Sequence, residues 1–187
     1  MPLAALHETF DLPIIGVIEP GCRAAVKATQ NKKIGIIATP ATINSYAYPQ
    51  EIARLDSTIK VMGQACPLFV PLIEEGWAAK PVTVTVAKEY LYKLHHSEID
   101  TLILGCTHYP LLKPTLRKVL GPKVKLVDSA EEVVHDVRDV LEQKNALRTG
   151  THKATCKFLV SDEPAHFQKL ARRFLGFEIK DVERVST

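Results

Sequence analysis

Short, continuously apolar runs recur along the chain, separated by stretches whose apolar residues return every three or four positions. The runs predict strands over 14–18, 33–39, 59–64, 101–106, 124–128 and 157–161. Most are apolar throughout rather than alternating, as expected of strands covered on both faces of a parallel sheet. The stretches between them predict helices over 4–10, 21–30, 41–54, 68–79, 84–96, 112–120, 130–146 and 164–175. Strand and helix alternate, so the expected fold class is α/β.

Local signals mark several element ends. Thr39-Pro40 offers a capping hydroxyl followed by proline at the first helical position, and Ser129-Ala-Glu-Glu132 reads as a capping box. Gly121-Pro122 closes one helix and Gly176 another. The stretch 143–153 is polar and turn-rich, which suits a long exposed connection. The chain opens on a helix with no strand before it, an unusual start for an α/β unit.

Composition narrows the classes. The chain has 187 residues, 46% hydrophobic and 24% charged, ordinary values for a globular protein. Its 24 basic and 21 acidic residues leave a formal net charge of +3 spread along the sequence, so no dedicated nucleic-acid surface is expected. No apolar run approaches the roughly 18–20 residues of a membrane-spanning helix. The start, MPLAALHETF, lacks the basic lead and apolar stretch of an export signal. Four cysteines (Cys22, Cys66, Cys106, Cys156) without a CxxC pair argue against a disulfide framework or a structural zinc site. The expectation is a reduced, cytoplasmic protein.

Ligands of open α/β sheets bind beyond the carboxyl ends of the strands, where helix N-termini present free N–H groups. The strand-to-helix junctions are therefore the places to search. The richest is Gly105-Cys106-Thr107-His108-Tyr109-Pro110, after the predicted strand 101–106. A cysteine there, close to a helix start and to His108, could act as nucleophile or general base. A buried structural cysteine and a hydrogen-bonded turn histidine would give the same letters. Thr39-Pro-Ala-Thr-Ile-Asn-Ser45 gathers hydroxyls at a helix start, with ordinary capping as the simpler reading. Cys66-Pro-Leu-Phe-Val-Pro-Leu-Ile-Glu74 brackets an apolar run between prolines and fixes a carboxylate at its end. Cys22 and Cys156 read as structural, His95-His96 as a helix end where the helix dipole favours a cation rather than as a metal site, and His7, His135, His152 and His166 as surface or helix-face residues.

Taken together, these three junctions, with Val17-Ile-Glu-Pro-Gly21 and Leu126-Val-Asp-Ser-Ala130, resemble the glutamate racemase family. Gly-Cys-Thr-His-Tyr-Pro at the end of a strand is its most specific part, and Ala38 stands where the family usually has glycine. The resemblance implies a pseudo-symmetric two-domain architecture with mainly parallel sheets, no cofactor, and glutamate held between two cysteines. It also implies a cytoplasmic role in peptidoglycan synthesis and cell shape, and a possible homodimer. By resemblance Cys106 is the second catalytic cysteine, His108 and Glu74 its supporting acid/base groups, and Thr107, Thr39 and Thr42 substrate-binding residues. The family's opening strand, its Asp-Ser-Gly junction and its Cys-Asn-Thr motif have no counterpart here. The resemblance thus places 17–127 as a nearly complete second domain and 1–16 with 128–187 as part of a first, incomplete one. With one matching cysteine, the chain alone is expected to racemise poorly or not at all. An aspartate- or hydantoin-type racemase and a non-catalytic binding module are the alternatives.

Overall fold

The computed structural model describes residues 3–186. It divides after Leu147 into two compact units. In the first, strands β1 (Lys33–Ala38), β2 (Lys60–Ala65), β3 (Thr101–Gly105) and β4 (Lys125–Asp128) form one parallel sheet in the order β2-β1-β3-β4. Ala38 lies opposite both Ala65 and Gly105, so three strands end level. Leu104 pairs with Asp128, which brings the end of β4 to the same edge.

Helices cover both faces, which explains the unbroken apolar runs. Ile37, Leu102 and Leu104 face a core built with α5 (Phe69–Glu74), α6 (Pro81–His96) and α7 (Lys113–Leu120). The alternate residues Ile34, Ile36, Ile103 and Val127 face α2 (Ile18–Ala28) and α4 (Ala47–Leu55) through Cys22, Ala25, Tyr48 and Ile52. Helix α8 (Ser129–Gln143) packs against α2. The second unit contains β5 (Phe158–Val160), α9 (Pro164–Leu175) and β6 (Val182–Arg184), with the two strands paired in parallel.

The start of β3 is tied to the end of α2 by one carboxylate. Asp100 accepts from the Thr29 hydroxyl at 2.6 Å and from the Gln30 and Asn31 backbone amides at 2.7 Å each. The Thr101 hydroxyl donates to it as well, at 2.9 Å. Partial burial pushes this carboxyl up, but the hydrogen bonds outweigh that and hold it below the ordinary range.

Four local expectations change. Residues 14–17 form no strand; they run without a ladder into α2, and Ile14 and Ile15 are half-buried. Apolarity reports burial, whereas a strand also needs a neighbour for its amides and carbonyls. The expected helix 41–54 is two, α3 (Pro40–Asn44) and α4, separated by Tyr46 in the left-handed region at φ 55°. Pro49 has no amide to donate and its ring would strike the carbonyl four residues back, so a helix must restart there. The expected helix 68–79 stops at Glu74, and Gly76 at φ 78° turns the chain before Pro81 opens α6 three residues early. Finally, the cap of α8 is Asp128, which accepts from the Ala130 amide at 2.9 Å. Ser129 instead enters the first turn, its hydroxyl buried where a Cβ on Gly21 would come within 2.5 Å. The expected ends at Gly121 and Gly176 hold, both glycines having positive φ.

Candidate active site

Strand order locates the crevice before any side chain is considered. The chain moves from β1 outward to β2, then returns past β1 to β3. The intervening helices lie on opposite faces, α4 on one and α5 and α6 on the other. A ligand cleft in such a sheet opens where the direction reverses, beyond the carboxyl ends of β1 and β3. Those ends are Ala38 and Gly105, which are directly paired, so the next residues, Thr39 and Cys106, flank the crevice.

Thr39 is extended and caps α3, its hydroxyl oxygen accepting from the Thr42 amide at 3.4 Å. The two threonine hydroxyls stand 3.1 Å apart, so capping and a paired polar edge coexist. Both side chains are half-buried. Gly105 is tightly enclosed: a Cβ would meet the Ala38 Cβ and the Ile37 carbonyl at 3.1 Å and the Tyr48 ring at 3.2 Å, so these neighbours would have to give by a few tenths of an ångström. That crowding brings the β3 terminus hard against β1 and Tyr48.

Cys106 is half-buried, unlike Cys22 and Cys66, which have no exposed surface. Burial pushes its thiol up from the ordinary value of 9.0. The His108 and Tyr109 backbone amides and the Thr107 side chain act in the opposite direction, favouring the thiolate. The turn thus offsets part of the cost of burying a thiolate. Cys66 has its thiol pushed well up by burial, and Cys22 is raised to about 12 by burial and then by Glu51 and Glu19. Neither is an acid/base group at neutral pH.

Behind the thiol, His108 Nε2 lies 3.1 Å from Glu74 Oε1, and His108 Nδ1 lies 3.4 Å from the Thr107 hydroxyl. The sequence separation of 34 is closed because α5 delivers Glu74 from the end of β2 to the end of β3. Thr107, His108 and Glu74 therefore form one hydrogen-bonded group beside Cys106, with Thr39 and Thr42 across the crevice at the end of β1 and the start of α3. Such a group can take a proton from carbon, shuttle it through imidazole and hold a carboxylate with hydroxyls.

Tyr109 and Tyr48 escaped the sequence reading as site residues. Tyr109 is fully buried and donates to the Cys66 carbonyl at 3.0 Å. A tyrosine rather than a phenylalanine in a core position requires a partner for its hydroxyl, and that was the available signal. The other histidines are exposed, as expected. Among the described residues no group of three or more His, Cys, Asp and Glu side chains is arranged to hold a metal ion. No described helix is long and apolar enough to cross a membrane.

Residues 1–137 match the family described as Asp/Glu/Hydantoin racemase. A glutamate racemase of Geobacter metallireducens is 45% identical over 184 residues, covering 98% of this chain and 68% of that protein. The crystal structure of a glutamate racemase isoform from Bacillus anthracis superposes with a TM-score of 0.91 at 38% identity, covering 98% of this chain and 68% of that one. The glutamate racemase of Francisella tularensis, solved in complex with D-glutamate, gives a TM-score of 0.88 at 37% identity, covering 98% and 67%. The chain thus spans about two thirds of the length of the relatives it matches. Level strand ends, a half-buried thiol at the sheet's reversal point and a likeness that runs along nearly the whole sequence agree, and the chain belongs to the Asp/Glu/Hydantoin racemase family, among its glutamate racemases.

Proposed function

We propose that this chain provides one of the two acid/base half-sites of a cofactor-independent glutamate racemase, with Cys106 as the reacting thiol. As thiolate it removes the α-proton of L-glutamate; as thiol it returns a proton to the same face. His108 and Glu74 hold and relay that proton, while Thr107, Thr39 and Thr42 bind the polar ends of the substrate. Residues 17–127 are the second domain in this reading, and 1–16 with 128–187 belong to the first. The observation that carries the proposal is the half-buried Cys106 at the reversal point, backed by the 3.1 Å His108–Glu74 contact.

Inversion requires a second group on the opposite face of the planar carbanion. Cys22 and Cys66 are fully buried, and Cys156 is exposed in the second unit. This polypeptide therefore exchanges the α-proton with retention and turns over L- to D-glutamate slowly. A missing general acid or base costs roughly 10²–10⁴-fold in rate. Incubation with L-glutamate in heavy water, followed by proton NMR and chiral analysis, checks this. The expected result is deuterium at Cα with little D-glutamate, and loss of exchange in Cys106→Ser. Racemisation at the rate of an intact family enzyme, or exchange that survives Cys106→Ser, overturns it. The same reading makes the protein a cytoplasmic enzyme, able to form a homodimer, whose reaction supplies D-glutamate to peptidoglycan when both half-sites are present.

A further inference from the structure

The link between β2 and α5 is held by two tyrosines from different elements. Tyr109, in the turn that follows Cys106, donates its hydroxyl to the Cys66 carbonyl at 3.0 Å. Tyr90, on α6, accepts from the Leu68 amide at 3.3 Å. Both rings meet Phe69, the first residue of α5, edge to face, with centroids 5.3 Å (Tyr90) and 5.4 Å (Tyr109) away. Phe69 itself is fully buried. Five residues later the same helix presents Glu74 to His108.

A closed circuit results. It runs from Cys106 through the backbone to Tyr109, across the hydroxyl to Cys66, along α5 to Glu74, and back through His108 to the turn that carries the thiol. Helix α5 has only six residues, too few to hold its own direction in water. Its aim depends on what grips its first turn, and the grip comes from the residue adjoining His108. Burial of the Tyr109 side chain makes that grip selective, since a buried hydroxyl needs a hydrogen-bond partner.

We propose that Tyr109 and Tyr90 are positioning residues for the thiol site, clamping the first turn of α5 so that Glu74, His108 and the Cys106 sulfur keep one arrangement. The proposal rests on Cys106 being the reacting group, but its test needs no glutamate. The titratable groups around the sulfur are His108, Glu74 beyond it, Tyr109 and, from α4, Tyr48.

The test measures alkylation of Cys106 by iodoacetamide against pH in a Cys156→Ser background, where Cys22 and Cys66 are buried and protected. Tyr109→Phe keeps the ring on Phe69 and removes only the hydroxyl. The Cys66 carbonyl still accepts from the Phe69 amide at 3.2 Å, so the substitution leaves no buried acceptor without a donor. Once the turn loosens, the Tyr109 amide leaves its place on the Cys106 carbonyl and the support that the turn's amides give the thiolate weakens. The alkylation profile then moves to higher pH, with roughly a threefold loss of rate on its rising limb. Tyr90→Phe shifts it the same way by less, because it grips α5 and not the thiol turn. Thr115→Val is the control: it removes a comparable bond, the hydroxyl to the Ala78 carbonyl at 2.9 Å, outside the clamp. It should lower Tm and leave the profile in place. If Tyr109→Phe lowers Tm while its profile superimposes on the parent, or if Thr115→Val shifts the profile equally, the clamp is refuted. Either result leaves the deuterium-exchange test of the half-site unaffected.

Discussion

Among the cysteines of the first unit, burial separates the sealed Cys22 and Cys66 from the half-buried Cys106. Cys22 sits between α2 and the sheet with no exposed surface, and its thiol is pushed up to about 12. A group whose folded value is raised stabilises the fold fully below its ordinary value near 9.0, and that contribution fades as pH climbs from there toward 12. The denaturation midpoint of the parent should therefore fall between about pH 8 and about pH 10.5, and fall less in Cys22→Ala. Guanidinium titrations at the two pH values check this. For Cys106 the raised thiol means that alkylation in the parent keeps accelerating above pH 9.0. At this scale the letters Cys-Thr-His were readable from the sequence as chemistry, but they did not distinguish an accessible sulfur from a sealed one. The distinction lies in neighbours supplied by α5 and β1, far away in the chain. Tyr109 was overlooked for the same reason: the carbonyl its hydroxyl serves is 43 residues distant.

Elements follow the sequence wherever both periodicity and end signals are strong. The strands β1 and β3 and the helix α9 stand close to where the apolar pattern puts them, because each is long enough to be covered and is punctuated by Thr39-Pro40, Gly105 or Gly176. The misreadings cluster where one residue overrides a pattern. Pro49 restarts a helix that periodicity would run through, and Asp128 takes the capping role that the Ser129 motif suggested. The Asp100 anchor belongs to this scale too, since it fixes where β3 begins. Its carboxyl is held below the ordinary range, so the stability it supplies is present above that range and lost as pH falls through the depressed value. Asp100→Ala should cost about 1–3 kcal/mol at pH 7, and the gap from the parent should narrow below about pH 4. Chemical denaturation at both pH values measures it.

For the whole molecule, the polar stretch expected around 143–153 coincides with the division after Leu147. Lys144, Arg148 and Lys153 are all exposed there and lie outside regular structure. Limited trypsin digestion, read by mass spectrometry, should cut at these three before any site in the first unit's sheet. The fragment that ends near Arg148 should keep the alkylation profile of Cys106. Early cleavage within β1 to β4 would contradict the division. Family membership was legible at this scale because the motifs sit at consecutive strand ends, and a parallel sheet gathers such ends on one edge whatever the length of the helices between.

Because Ala38, Ala65 and Gly105 are directly opposite one another, the chemistry depends on counting as much as on residue identity. One extra residue inserted between Leu102 and Cys106 would carry the sulfur about 3.3 Å along the strand and turn it toward the opposite layer of helices. His108 would lose Glu74 even with every residue of the candidate site retained. An insertion in the outer links, such as those beside α6 and α7, would leave this register intact, whereas one between a strand and its turn would break it.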